Sequence, residues 1–272
     1  MMRSLWTAAS GMIAQQTNVD TISNNLANVN TTGYKTQTAE FKSLLYQNLQ
    51  TKTTTANGEN KPIPAEVGLG VRNSSITTHF SQGSFMESTS DTAFAINGDG
   101  FFAVQGTDGE TYYTRNGNFT YAIGTQGMML TTTDGLPVLD STGQPIVFDT
   151  TQYDMSKVQA TSDGKFGYLD ENNNYVDLGI QIGLFQFNNP SGLDKTGGSL
   201  YSETAASGQA INESVTDTVK KSTIKSGYLE GSNVQVADEM VNLIVAQRAY
   251  EMNSKAIQAS DEMLSQANQL RR

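Results

Sequence analysis

The chain has 272 residues, of which 37% are apolar and 16% charged, and a formal net charge of −10. That apolar content suffices for a packed core and excludes full disorder. The acidic balance and scattered basic residues exclude a surface that tracks nucleic-acid phosphates. With no cysteine, disulfides, thiolate nucleophiles and cysteine-held metals are excluded as well.

The N-terminal stretch MMRSLWTAASGMIAQQ holds one Arg, and its apolar residues are interrupted by Ser, Thr, Gly and Gln. No signal-peptide core is expected there. Runs of about 18 apolar residues are lacking, so no direct membrane insertion is expected. Leu5, Ala8, Met12, Gln15, Val19, Ile22, Leu26 and Val29 recur at alternating intervals of three and four. All but Gln15 are apolar, which predicts a helix with a narrow heptad seam. Thr31-Thr32-Gly33 stops it, Gly33 suiting a left-handed cap.

Residues 33–75 read as a connecting arm. Phe41, Leu44, Leu45 and Leu49 lie at helical spacing over a short stretch, and 51–65 (TKTTTANGENKPIPA) is a polar loop or extended arm. From 76 onward the pattern is short β runs such as Phe101-Phe102-Ala103-Val104 and Thr111-Tyr112-Tyr113-Thr114. They are punctuated by Asn97-Gly98, Asp108-Gly109, Asn116-Gly117, Asp134-Gly135 and Asp163-Gly164, pairs that favour tight hairpin turns. Asp170–Asn174 reads as a hairpin tip, since the Gly and Glu of a calcium loop are misplaced. The polar patch 202–219 loops back toward a C-terminal helix.

That helix starts near Ser232 and Gln235, which resemble a capping box, with Asp238 and Glu239 in its first turn. Met240, Leu243, Ile244, Tyr250, Ile257 and Leu264 follow at helical spacing, and Arg271-Arg272 complement the helix dipole. Each terminal helix has an apolar stripe that is wet unless covered, and a lone helix is marginal in water. The fold class expected is therefore α+β. N- and C-terminal helices pair as an inner coiled-coil layer, with a mainly antiparallel β domain inserted. The expected boundaries are 1–32 with 232–272 for the helical domain, 33–75 for the arm, and 76–231 for the β domain and return linker.

Signals for chemistry are weak. His79 is the sole histidine, and one histidine without cysteine makes no zinc site. Gly98-Asp99-Gly100-Phe101-Phe102-Ala103 fits a dinucleotide pattern formally, but β residues follow where a helix is needed. No cofactor or metal is expected. Carboxylates are plentiful, which leaves a secreted β-rich glycan hydrolase open, and a tail or adhesin subunit is a further alternative.

Several segments resemble one family. Ser23-Asn24-Asn25-Leu26-Ala27-Asn28-Val29-Asn30-Thr31-Thr32-Gly33-Tyr34-Lys35 resembles the N-terminal signature of flagellar basal-body rod and hook proteins. Ser232-Asn233-Val234, Glu239-Met240-Val241-Asn242-Leu243-Ile244 and Gln247-Arg248-Ala249-Tyr250-Glu251 resemble the C-terminal one. Ile96-Asn97-Gly98-Asp99-Gly100-Phe101-Phe102 and Tyr113-Thr114-Arg115-Asn116-Gly117 are similar to its β-domain motifs. The polar stretch between Leu45-Tyr46-Gln47 and Gly68-Leu69-Gly70-Val71 resembles an insertion of a rod-type member.

The resemblance implies a non-enzymatic homo-oligomer, a hollow helical polymer outside the cytoplasmic membrane. It implies contact with proximal rod and hook proteins, passage through the flagellar type III export apparatus, and outer ring proteins as further partners. On this reading the polymerisation interface comprises Leu5, Met12, Val19, Ile22, Asn25, Leu26, Asn28 and Val29 at one end. At the other it comprises Met240, Leu243, Ile244, Gln247, Arg248, Tyr250, Ile257 and Leu264. Arg248 would bridge to an acidic residue of a neighbour. The asparagines from Asn24 to Asn30 would bond neighbouring subunits, or simply their own turn.

Overall fold

A computed structural model describes residues 2–50, 65–124, 127–149, 158–169, 175–216 and 219–269. The chain divides into two compact units. Unit 1 comprises Met1–Ala27, Gln37–Thr78 and Gln235–Arg272; unit 2 comprises Asn28–Thr36 and His79–Val234. The arm expected over 33–75 is thus shared between them.

In unit 1, helices α1 (Met2–Ala27) and α2 (Val236–Gln269) pack against each other. They run antiparallel. Ser4 Oγ lies 3.3 Å from Ser260 Oγ, Gly11 abuts Asn253, and Gln16 and Val19 share a groove with Gln247 and Tyr250. The contacts Ser4–Ser260 and Gly11–Asn253 join small or polar side chains, one heptad apart on each helix, and Ala8, Ala14 and Ala246 are buried as well. Short side chains at the contact let the two axes approach. The expected apolar seam is only partly inward: Ala8 and Ile22 are buried, whereas Leu5, Met12, Gln15, Val19 and Leu26 are half-buried.

Strands β1 (Gln37–Ser43), β2 (Tyr46–Gln50), β3 (Ala65–Gly68) and β4 (Val71–Thr78) complete unit 1. β1 pairs antiparallel with β4 from Gln37↔Thr78 to Ser43↔Val71, with a bulge at Glu40/Phe41. β2 pairs antiparallel with β3, and the polar stretch between them (51–64) lies outside the described residues. The helical spacing of Phe41, Leu44, Leu45 and Leu49 does not produce a helix. So short a periodicity yields to the pairing of the Thr- and Val-containing strands on either side. Side chains tie α1 to this sheet. Asn25 grips Gln37 by two bonds, accepting from its N–H at 3.0 Å and donating to its carbonyl at 2.8 Å. Asn73 donates to Thr17 Oγ1 at 2.6 Å, and Val71 N–H to Ser10 Oγ at 3.3 Å.

Two expected caps differ. α1 ends at Ala27 and residues 28–33 form turns, so Gly33, though left-handed at φ 69°, does not cap it. A Cβ at position 33 would stand 2.7 Å from the Asn116 nitrogen, and its N–H donates to Glu230 O at 2.8 Å. Ser232 forms no capping box. It accepts from Val234 N–H at 3.3 Å, and α2 begins four residues later with Asp238 and Glu239 in its first turn. Arg271-Arg272 lie outside the described residues.

Unit 2 runs in chain order through β5 (Phe85–Glu87), β6 (Phe94–Asn97), β7 (Phe101–Gln105), β8 (Thr111–Thr114), β9 (Phe119–Gly124) and β10 (Gly127–Thr132). Next come β11 (Val147–Phe148), β12 (Val158–Ala160), β13 (Lys165–Leu169), β14 (Tyr175–Gln181) and β15 (Leu184–Gln186). Last are β16 (Asp194–Gly197), β17 (Leu200–Ser202), β18 (Ile211–Asn212), β19 (Thr223–Ser226) and β20 (Tyr228–Glu230). The largest sheet has the order β16-β17-β8-β7-β15-β18. Smaller sheets are β11-β10-β9 and β12-β13-β14, with the pairs β19-β6 and β20-β5. Every paired ladder is antiparallel.

The apolar run of β7 explains its central place. Successive side chains alternate faces, so Phe102 and Val104 enter one core with Phe94, Phe119 and Phe166. Phe101 and Ala103 enter the other with Tyr113, Leu139 and Phe187. Asp108-Gly109 turns β7 into β8, and Asp163-Gly164 turns β12 into β13, both glycines at positive φ. Asn116-Gly117 is not such a turn: Gly117 lets the chain lie against the Phe94 carbonyl, where a Cβ would collide. Gly98-Asp99-Gly100 leads into strand β7, with no helix following. Leu169 pairs with Tyr175, so β13 and β14 face each other across Asp170–Asn174, which lies outside the described residues.

Candidate assembly surface

The helices of unit 1 present large apolar side chains to solvent. Trp6 and Ile13 on α1 are 76% and 65% exposed, and Val241, Val245 and Met252 on α2 are 59%, 61% and 65% exposed. Met240, Ile244, Tyr250, Met263 and Leu264 are exposed too. Exposed apolar side chains of this size on one helix pair make that surface a candidate for association. Gln16, Val19, Gln247, Tyr250 and Glu251 line a groove of about 510 Å³ along it.

The residues singled out by sequence fall into three groups. Met240, Ile244, Gln247, Arg248, Tyr250 and Leu264 are exposed. Leu5, Met12, Val19, Leu26, Leu243 and Ile257 are half-buried in unit 1, and Asn28 and Val29 are half-buried in unit 2. Ile22 and Asn25 are buried at 5% and 1% exposure, and Asn25 is engaged by Gln37. Asn28 accepts from Thr31 N–H and Thr31 Oγ1, both at 3.1 Å, which is turn chemistry. Trp6, Ile13, Val241 and Val245 were not singled out. The signal for the last two was present in the adjacent pairs Met240-Val241 and Ile244-Val245, which no single stripe can bury.

Unit 2 holds a buried ionic node. Glu230 Oε1 receives Lys35 Nζ at 2.6 Å and the Gly83 N–H at 2.9 Å, and Glu230 Oε2 receives Arg115 Nη1 at 3.3 Å. Lys35 also donates to Ser81 O at 2.8 Å. Arg115 donates from Nη2 to Gly98 O at 2.9 Å, and its guanidinium carbon lies 5.0 Å from the Phe101 ring centroid. Burial pushes the Lys35 and Arg115 values below their ordinary ranges, with Glu230 pulling the other way. Lys35 and Arg115 both lie in segments with the family-like motifs, but nothing local in sequence distinguishes a buried cation from a solvated one.

A second buried carboxylate is internally satisfied. Glu213 accepts from Ser222 N–H at 2.6 Å, Ser222 Oγ at 2.9 Å and Gln186 Nε2 at 2.8 Å. It borders a cleft of about 320 Å³ with Asp163, Lys165 and Lys221. Among the described residues no three His, Asp or Glu side chains are placed to hold a metal. No described helix is long and apolar enough to cross a membrane. His79 is exposed, and its N–H donates to Thr36 O at 2.9 Å.

Comparison with known families places three matches along the chain. Residues 5–35 match "Flagella basal body rod protein", and 95–168 match "Flagellar hook protein FlgE/F/G D1 domain". Residues 225–270 match "Flagellar basal body rod FlgEFG protein C-terminal". Each matched segment contributes one member of the node: Lys35, Arg115 and Glu230. The "Flagellar basal-body rod protein FlgG" of Borreliella burgdorferi is 43% identical over 274 residues, covering 100% of both chains. That of Buchnera aphidicola subsp. Acyrthosiphon pisum is 38% identical, covering 99% of this chain and 100% of its own. The "Flagellar hook-basal body complex protein FlhP" of Bacillus subtilis is 30% identical over the full length of both.

Proposed function

The chain belongs to the family of flagellar basal-body rod proteins, and from that premise we propose that it is a structural subunit that polymerises into the distal rod. The observation that carries this is the pair of terminal helices. They meet through short side chains such as Ser4 with Ser260 and Gly11 with Asn253, while Trp6, Ile13, Val241 and Val245 stand exposed. Those side chains are buried by copies of the same chain, since burying one aliphatic side chain is worth about 1.5–3 kcal/mol. The assembly surface is centred on the exposed residues Met240, Ile244, Gln247, Arg248, Tyr250 and Leu264, with Leu5, Met12 and Val19 at its edge. Ile22 and Asn25 support it from within unit 1.

The polymer lies outside the cytoplasmic membrane, reached by the flagellar type III export apparatus. It joins proximal rod proteins below and the hook above, and outer ring proteins surround it. Its work is mechanical and not catalytic: it carries motor torque, which needs the close packing that resists deformation. Full-length similarity to rod proteins and the polar stretch after Gln47 support the distal rod over the longer hook subunit.

The test is Val241→Asp and, separately, Val245→Asp in cells lacking the native copy. The expected result is a chain still exported, with basal bodies cut short at the rod and no motility. Normal rods and swimming with both substitutions would end this reading.

A further inference from the structure

Unit 2 continues into the rest of the chain after Thr36, before His79 and after Val234. Residues beside all three points are laced together by one side chain. Asn233 Oδ1 accepts from the N–H and the hydroxyl of Thr36, both at 2.7 Å. Asn233 Nδ2 donates to the carbonyls of His79 at 2.9 Å and Ser81 at 3.3 Å, and to Ser81 Oγ at 2.9 Å.

Behind this amide the same three segments are braced again. Lys35 reaches from the first segment to Ser81 O in the second, at 2.8 Å, and to Glu230 in the third, at 2.6 Å. Main-chain bonds add His79 N–H to Thr36 O at 2.9 Å, Gly33 N–H to Glu230 O at 2.8 Å and Gly231 N–H to Ser84 O at 2.8 Å.

We propose that this cross-brace is a mechanical clamp, through which torque enters and leaves unit 2. The proposal deepens the rod reading and rests on it. A chain segment held by its own bonds alone gives way bond by bond. Segments cross-linked to one another yield together. The residue types fit the task. An amide supplies an acceptor and two donors at one point, so Asn233 bonds two segments from opposite ends of one side chain. A buried ion pair is weak evidence for stability, and charge-assisted bonds are short and directional. The use of Lys35–Glu230 is then to fix where the segments emerge.

The experiment uses the full chain in a strain lacking its own copy, comparing Asn233→Ala and Asn233→Asp with the parent. Aspartate keeps the acceptor for Thr36 and loses the donor to His79 and Ser81. The expected result is normal basal bodies by electron microscopy, swimming retained in ordinary medium, and swimming lost in viscous medium, where load is high. Parent-like swimming of both variants under load overturns the clamp. Exported, folded variants that build no rods also overturn it, because Asn233 would then serve assembly. If Asn233→Ala does not fold, Thr36→Val removes one of the bonds at nearly constant volume, and the same loss under load is expected. A parent chain that restores no rods in this strain refutes the rod reading itself, which is a distinct result.

Discussion

Lys35 Nζ lies 2.6 Å from Glu230 Oε1, with neither side chain exposed, although 195 positions separate them in sequence. Arg115 takes the other carboxylate oxygen at 3.3 Å. Glu230→Leu therefore leaves two buried cations without their carboxylate, and the expected loss is about 3–5 kcal/mol of unfolding free energy. Replacing the whole node, as Lys35→Met, Arg115→Met and Glu230→Leu together, should recover most of it. Urea unfolding of the purified full-length variants measures both. A triple variant as weak as the single one would show that shape at the node, and not unpaired charge, sets the cost.

How much of this was readable in sequence depends on the range of the interaction. The terminal helices and the antiparallel β region were legible, because heptad recurrence from Leu5 onward and Asp-Gly turns such as Asp108-Gly109 are local signals. The node was not, because the burial of Lys35, Arg115 and Glu230 is decided by segments far apart in the chain. The helix seam was missed for another reason. Scoring apolar residues alone hides contacts made by Ser4 and Gly11. The short apolar spacing from Phe41 to Leu49 misled, since less than three helical turns cannot outweigh a ladder such as β1–β4.

Gly11 lies against Asn253 on α2, and a Cβ there would stand 2.9 Å from Asn253 Nδ2. Asn253 presents the tip of a flexible side chain, so Gly11→Ala should be tolerated, aided by up to about 1 kcal/mol of helix propensity. Gly11→Leu should force the helices apart. The chain has no cysteine, so a Ser4→Cys/Ser260→Cys pair can report the register. Its oxidation should close readily in the parent and in Gly11→Ala, and slowly in Gly11→Leu. Equal rates in all three would place the contact line elsewhere.

Alkaline pH should loosen unit 2 through its buried phenols. Burial pushes Tyr113 and Tyr201 up from 10.0 to about 12. A raised phenol contributes fully below its ordinary value, and the contribution is lost as pH rises toward the folded value, because the unfolded chain ionises first. Tyr201 alone is worth at most about 2–3 kcal/mol at that size of shift. Lys35, lowered by burial from 10.5, works with the opposite sign, adding stability as pH rises to its ordinary value. Urea midpoints should fall between pH 10.0 and about 12, less steeply in Tyr201→Phe. An unchanged slope in that variant would remove Tyr201 as the cause.

Charge is segregated between the units, and polymerisation should depend on salt accordingly. Unit 1 carries nine basic and nine acidic residues, whereas unit 2 carries eight basic and eighteen acidic, the whole of the −10 net charge. Copies that meet through unit 1 meet no net repulsion there, while their acidic units repel one another over the screening length. That length falls from about 30 Å at 0.01 M to about 8 Å at 0.15 M ionic strength. Light scattering of the purified chain should therefore show faster polymerisation as salt rises through this range, with little change beyond it. Sulfate should promote it further than chloride at equal ionic strength, because it strengthens apolar burial. A polymer that dissolves as salt is added would mean that ion pairs hold the copies together, with Arg248 the first residue to test, and that the exposed valines and Ile13 are not its adhesive.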